Sequence, residues 1–294
     1  ESKEVIKKLT SAVRQGDIDS YNYIESAGSF SPKGDQYVMT TIAKGRNRLL
    51  IANVEGNKVA VEEEINLKGI EAFDNPEWSP DGDKILFTGL VDGKSDLYTY
   101  HLKNQKIQQL TDDPYSDLQA AWSPDGEKIV FISERGPDTE FNIPTYGNYR
   151  LCMMDVQSGN IEVLPVFPGS DNLSPHFSPN GESIYFLSHS DGYRNLYEYE
   201  RSTGDVYRLT EFVTGISGIT DLAPAYSVAS KTGEIAYTLY GNDRYSVHMA
   251  KPEEFNRVQV DKNLADKGPS VLPPGDGRVL NIVGTNLKRH PTIP

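Results

Sequence analysis

The chain has 294 residues, a formal net charge of −13, five histidines and a single cysteine, Cys152. That acidity argues against nucleic acid or an anionic membrane as a general partner, because both need a basic face. One cysteine permits no intrachain disulfide and no CxxC redox or zinc motif, and no apolar run approaches the ~20 residues that a membrane-spanning helix needs.

Residues 1–10 end in Val5-Ile6-Lys7-Lys8-Leu9-Thr10, which resembles Lys106-Ile107-Gln108-Gln109-Leu110-Thr111 and Asp205-Val206-Tyr207-Arg208-Leu209-Thr210. The chain is therefore expected to open with the last strand of a preceding unit. It begins at Glu1 rather than methionine, which leaves room for a leader or an upstream domain.

A turn-forming stretch then recurs. Phe30-Ser31-Pro32-Lys33-Gly34, Trp78-Ser79-Pro80-Asp81-Gly82, Trp122-Ser123-Pro124-Asp125-Gly126 and Phe177-Ser178-Pro179-Asn180-Gly181 each lead into an apolar run, and Tyr226-Ser227 begins a degenerate fifth copy. Proline presets φ, aspartate or asparagine bonds its own backbone, and glycine takes the positive φ that closes the reversal. The serines at 31, 79, 123, 178 and 227 are 48, 44, 55 and 49 residues apart, slightly more than the roughly 40–45 of a four-stranded propeller repeat.

The second copy shows the unit: a short strand ending at Trp78, a second at 84–88, a third at 97–102 and a fourth at 106–111. The expected fold is all-β, a β-propeller of four-stranded antiparallel blades, with five recognisable blades (27–66, 75–111, 120–165, 174–210, 223–260) plus a partial sixth. The third blade carries an insertion, 134–148, rich in Pro, Gly, Asn and Tyr and read as a loop. Residues 1–260 form the propeller. Residues 261–294 read as a Pro/Gly-rich exit linker with one candidate strand, 279–283, placed to pair with the N-terminal strand and tie the ring.

These units resemble the TolB-like, WD-related propeller repeat, with its order W-S-P-D-G, apolar strand, D-G-x-x-x-L-Y, T-G turn and L-T; Pro76 to Thr111 and Pro175 to Thr210 match it closely. The resemblance covers about 1–255 and implies protein binding in the cell envelope or periplasm rather than chemistry. A narrower likeness, carried by 110–118 and 214–220, is to the propeller of large bacterial envelope proteins that join such repeats to a surface-antigen outer-membrane barrel. It implies a segment of a longer chain, linked to a further domain, with six blades in all.

Chemistry is sparse. No GxSxG elbow occurs, since 215–219 fails at its last position, and no HExxH or close pair of histidines exists. His101, His176, His189, His248 and His290 are isolated and read as structural, and Cys152 as a buried strand thiol. No catalytic residue is assigned.

One regularity stands apart. An acid precedes each strand aromatic by four to six residues: Glu25, Asp74, Asp117, Asp171 and Asp221. In a propeller these loops enter the innermost strands, so the acids are expected to ring one mouth of the channel and to attract a cation or a basic, extended peptide. Tyr21, Tyr23, Phe73 and Tyr115 on the same loops add an interface character. Against this stands the ordinary use of Asp and Asn to cap loop backbone.

Three functions follow, the first preferred. It is a non-catalytic scaffold that binds protein or peptide through the acidic mouth, with no cofactor. The second is a lactonase-like hydrolase holding Ca²⁺ through Asp74, Asn75, Asp117, Asn172 and Asp221, since calcium takes six to eight oxygens. The third is the substrate-gating propeller of a longer serine peptidase.

Overall fold

A computed structural model describes residues 19–22, 26–56, 58–241 and 243–263. The described residues form five consecutive antiparallel sheets. The first comprises β1 (Ser20–Tyr21), β2 (Ser29–Phe30), β3 (Gln36–Ala43), β4 (Arg46–Glu55) and β5 (Lys58–Ile65), with β1 and β2 both pairing on β3. The second runs β6 (Ala72–Trp78), β7 (Lys84–Val91), β8 (Lys94–His101), β9 (Lys106–Gln109). The third runs β10 (Asp117–Trp122), β11 (Lys128–Ser133), β12 (Arg150–Asp155), β13 (Ile161–Val163). The fourth contains β14 (Asn172–Phe177), β15 (Ser183–Ser188), β16 (Asn195–Glu200) and β17 (Val206–Arg208), and the fifth β18 (Tyr226–Val228), β19 (Ile235–Gly241) and β20 (Arg244–Ala250). This is the expected all-β propeller. The expected N-terminal strand at 1–10 and the candidate strand at 279–283 lie outside the described residues.

The repeated turn is built by one hydrogen-bond scheme. Ser79 Oγ accepts the Lys84 N–H (2.9 Å) and donates to Asp81 Oδ1 (2.6 Å), which also accepts the Asp83 N–H, while the Gly82 N–H closes on the Ser79 carbonyl. Ser123 with Asp125 and Ser178 with Asn180 repeat it. Gly82, Gly126 and Gly181 have φ of +75°, +74° and +70°, where a Cβ is strained. The same motif links neighbouring sheets. A Cβ placed on Gly82 would lie 3.8 Å from Pro32, on Gly126 3.9 Å from Pro80 and on Gly181 3.4 Å from Pro124. Each proline thus packs on the glycine of the next sheet.

The other two signatures also have a cause. Thr111 of the L-T pair accepts the Leu97 N–H (3.0 Å) and donates to buried Asp96 (3.2 Å); Thr210 does the same with Leu196 and Asn195, both at 2.9 Å. The threonine therefore fastens the end of the fourth strand to the start of the third. The second strands β7, β11 and β15 are buried on both faces, which explains their unbroken apolar runs. Between sheets, the tryptophan that ends an inner strand packs on the sheet before it: Trp78 joins Val38 and Ile51, and Trp122 joins Leu86 and Leu97.

One strand goes elsewhere than the sequence period suggests. β21 (Val258–Val260), read within the fifth blade, pairs instead with β17 at the outer edge of the fourth sheet. Arg257 holds it there, with its guanidinium 3.4 Å from the Tyr207 ring centroid and paired with Glu198 (2.7 Å) and Glu200 (3.3 Å).

Candidate functional site

The connections between sheets and the β11–β12 insertion share one end of the molecule, where the inner strands begin. Each of the middle three inner strands breaks register there: between Asp74 and Glu77, Leu118 and Ala121, and Leu173 and His176. The bulged residues Asn75, Gln119 and Ser174 have φ of 52°, 51° and 52°, a cost that β-bulges near sites commonly carry. They also staple the ring. Asn75 accepts the Ala27 N–H (3.0 Å) with its side chain and donates its own N–H to Ser26 (2.8 Å). Gln119 accepts the Ser174 N–H (2.7 Å) and donates to the Leu222 carbonyl (3.0 Å), drawing the connection before β18 over the channel.

A cavity of about 420 Å³ opens at this mouth, lined among others by Phe73, Asp74, Asn75, Leu118, Gln119 and Asp221. Of the sequence-predicted acids, Asp74 and Asp221 both line this cavity. Asp74 accepts from Asn22 (2.7 Å), and the exposed Asp221 lies 3.4 Å from Arg194, which also bonds His189. Burial and the adjacent guanidinium hold His189 below the usual histidine range, so it stays neutral and adds no cation at neutral pH.

The other predicted residues are placed differently. Asp117 is fully buried, accepting from Arg135 Nη2 at 2.6 and 2.8 Å, and burial outweighs Arg135 to push its carboxyl up to about 6. Arg135 also reaches Asp113 (3.0 Å) and stacks near Tyr115 and Phe131, so Tyr115 is a wall of this pair and meets Phe141 edge-on. Asp171 accepts from Tyr149 N–H (2.9 Å) and Asn148 (3.2 Å), capping the end of the insertion. Phe73 is buried edge-on to Phe87, facing both core and cavity. Tyr23, Glu25 and the Tyr21 side chain lie outside the described residues.

The calcium set is dispersed accordingly. Asn172 is buried and donates to the Ser170 carbonyl (3.1 Å), and Asp117 is spent on Arg135. Among the described residues no group of three or more His, Cys, Asp or Glu side chains is placed to hold a metal. Of the set, Asp74, Asn75 and Asp221 line the cavity together.

Deeper along the inner wall are two groups that the sequence reading left as structural or unremarked. Glu77 accepts the Trp122 N–H (3.0 Å), and burial pushes its carboxyl up to about 8. His176 bonds the Ser174 carbonyl (3.0 Å), meets Tyr226 edge-on, and is held below the usual range by burial. Their signal is positional: both directly precede a strand aromatic, while the bulged residues lie three before it.

The fold is that of a β-propeller of antiparallel blades. Residues 60–143 match the TolB beta propeller domain family (PD40). An uncharacterised protein of Agrobacterium fabrum is 31% identical over 117 residues, 39% of this chain and 39% of that protein, so the match spans about two-fifths of that relative. Among solved structures, one described as TolB from Agrobacterium tumefaciens aligns with a TM-score of 0.61 at 20% identity, covering 80% of this chain and 79% of that one. TolB from Acinetobacter baumannii gives 0.58 at 17%, covering 84% and 54%. A puromycin hydrolase gives 0.57 at 16%, covering 83% of this chain and 40% of that one. At these identities the structural likeness speaks for the fold.

Proposed function

We propose that this chain is a non-catalytic binding propeller of the cell envelope, periplasmic in setting, that holds a protein partner by a basic, extended segment at the channel mouth. The observation that carries the reading is the cavity that Asp74 and Asp221 both line, together with the apolar Phe73 and Leu118. Carboxylates on low-dielectric walls focus potential and speed capture of a cation, and the apolar floor accepts the aliphatic stems of lysine or arginine. The TolB-type repeat supports an envelope setting, and the outer-membrane-barrel likeness of 110–118 and 214–220 supports a further domain in a longer protein.

The alignment with puromycin hydrolase supports a second reading, the substrate-gating propeller of a longer hydrolase. The first reading is tested by Asp74→Lys with Asp221→Lys, measured by anisotropy of a dye-labelled Lys-rich peptide. Affinity is expected to fall tenfold or more, about 1.4 kcal/mol, with the circular dichroism spectrum and Tm retained. Unchanged affinity would remove the mouth from the binding surface.

A further inference from the structure

Arg194 is 9 % exposed, the most buried arginine among the described residues, and its charge is poorly matched. Its Nε and Nη2 both donate to Nε2 of His189 at 3.3 Å, and Nη2 reaches Asp221 Oδ1 at 3.4 Å. His189 is neutral and supplies no counter-charge. The Asp221 side chain is fully exposed, and water screens such an ion pair to little net value. Nη1 donates to nothing among the described residues. Arg135 shows what a matched guanidinium looks like in this chain: it holds Asp117 at 2.6 and 2.8 Å and Asp113 at 3.0 Å. Burying a charge is costly unless it is paired and hydrogen-bonded, and Arg194 meets that condition only in part.

The residue is nonetheless fixed, and fixed at the mouth. Arg194 stands two residues before Leu196 as Ser95 stands before Leu97, the two leucines whose N–H groups are held by Thr210 and Thr111. Ser95 lines the mouth cavity with Asp74 and Asp221, and Asp221 is the residue that Nη2 reaches. The backbone here is clamped. The Arg194 carbonyl accepts the Ile216 N–H (2.6 Å), and the next side chain, Asn195, accepts from Thr210 and from the Phe212 N–H, both at 2.9 Å. Gly215, at φ +66°, comes so close that a Cβ there would sit 3.0 Å from the Arg194 N and O, an approach that glycine alone permits. A donor held in this way loses little freedom on taking a ligand.

We infer that Arg194 is a carboxylate-binding residue: its Nη1 and Nη2 take a carboxylate of the bound peptide, while Asp221 turns from Arg194 to the peptide's cation. Two N–H donors side by side match the two oxygens of a planar carboxylate. The charge balance suits a monoanion, since one guanidinium beside Asp221 and in the field of Asp171 leaves no excess positive charge for a phosphate dianion. The inference rests on the reading of the mouth as a peptide site, and it adds the second group by which the peptide is held. The ligand is then a segment with an acid close to its base, the acid being a free C-terminus or an Asp or Glu side chain.

The test uses the full chain and dye-labelled peptides of equal length, one pair containing lysine and one pair only alanine, each made with a free C-terminal carboxylate and with a C-terminal amide. Anisotropy is expected to show the acid binding roughly tenfold tighter than the amide, or more, in both pairs. In Arg194→Gln the ratio is expected to fall to near one. In Asp221→Asn, at a fully exposed position, it is expected to rise because the competing carboxylate is gone. An amide peptide with one internal Glu that regains the affinity of the acid assigns the carboxylate to a side chain. Equal affinity for acid and amide, with the Glu peptide no tighter, overturns the inference, and so does a preference that survives Arg194→Gln. Should Arg194→Gln not fold, Asp221→Asn decides, a fall in the ratio contradicting the inference. Failure of the mouth reading looks different: the lysine pair then binds no tighter than the alanine pair, whatever the C-terminus. Absence of binding by every peptide overturns both.

Discussion

Glu77 accepts the Trp122 amide across the boundary between the second and third sheets, and its carboxyl is pushed up to about 8 by burial. A raised carboxyl favours the folded state only while protonated, so its contribution is whole below about 4.5 and is lost as pH rises through 8. Glu77→Gln keeps an oxygen for the Trp122 N–H and removes the titration. The variant is expected to match the wild type at pH 4 and to exceed it at pH 8.5 by on the order of 4 kcal/mol, read as a higher Tm; parallel pH profiles would refute this. Asp117 gives a second case. Arg135→Ala leaves it buried without its cation and is expected to cost about 3 kcal/mol at neutral pH, with most of the loss recovered by adding Asp117→Asn. Denaturant titration of the single and double variants measures that coupling. The sequence showed Asp117 as an acid at the expected spacing, yet not its partner, because Arg135 reaches it only through the pairing of β10 with β11.

At the scale of elements, the Ser-Pro-Asp-Gly turn was legible because all its determinants lie within six residues, and the same bonds recur in each intact copy. Ser123→Ala removes the buried hydroxyl that accepts the Lys128 N–H and is expected to cost about 1–2 kcal/mol. Gly126→Ala forces a Cβ onto φ +74° and is expected to cost a similar amount, about 1–2 kcal/mol. Urea midpoints for the two variants check both figures, and an unshifted midpoint for Ser123→Ala would mean that the turn contributes nothing to stability. The destination of β21 was not legible. Its three residues carry no signature, and the choice between sheets is made by Arg257 on Tyr207, Glu198 and Glu200, some fifty residues upstream. The bulges at Asn75, Gln119 and Ser174 escaped notice for a related reason, since three different residue types serve one backbone position.

For the whole molecule, the repeat period was enough to specify five sheets in a ring, because each tryptophan needs the sheet before it and each proline the glycine after it. The acidic mouth was legible only in part. The spacing that brings Asp74 and Asp221 to one cavity also brings Asp117 and Asp171 to the same end, where local partners turn them to structural use. The proposed binding surface is therefore smaller than a five-membered ring of acids, and Arg194 lies beside Asp221 within it. On the proposed reading, the preference for cationic ligands is salt-sensitive, because exposed charges are screened within about 10 Å at 0.1 M salt. The most direct measurement is the affinity of the unaltered chain for two extended peptides of equal length, one Lys-rich and one Glu-rich, at low and physiological ionic strength. Tighter binding of the Lys-rich peptide, weakening as salt is raised, is the predicted result; equal affinity for the two peptides, unaffected by salt, would contradict it.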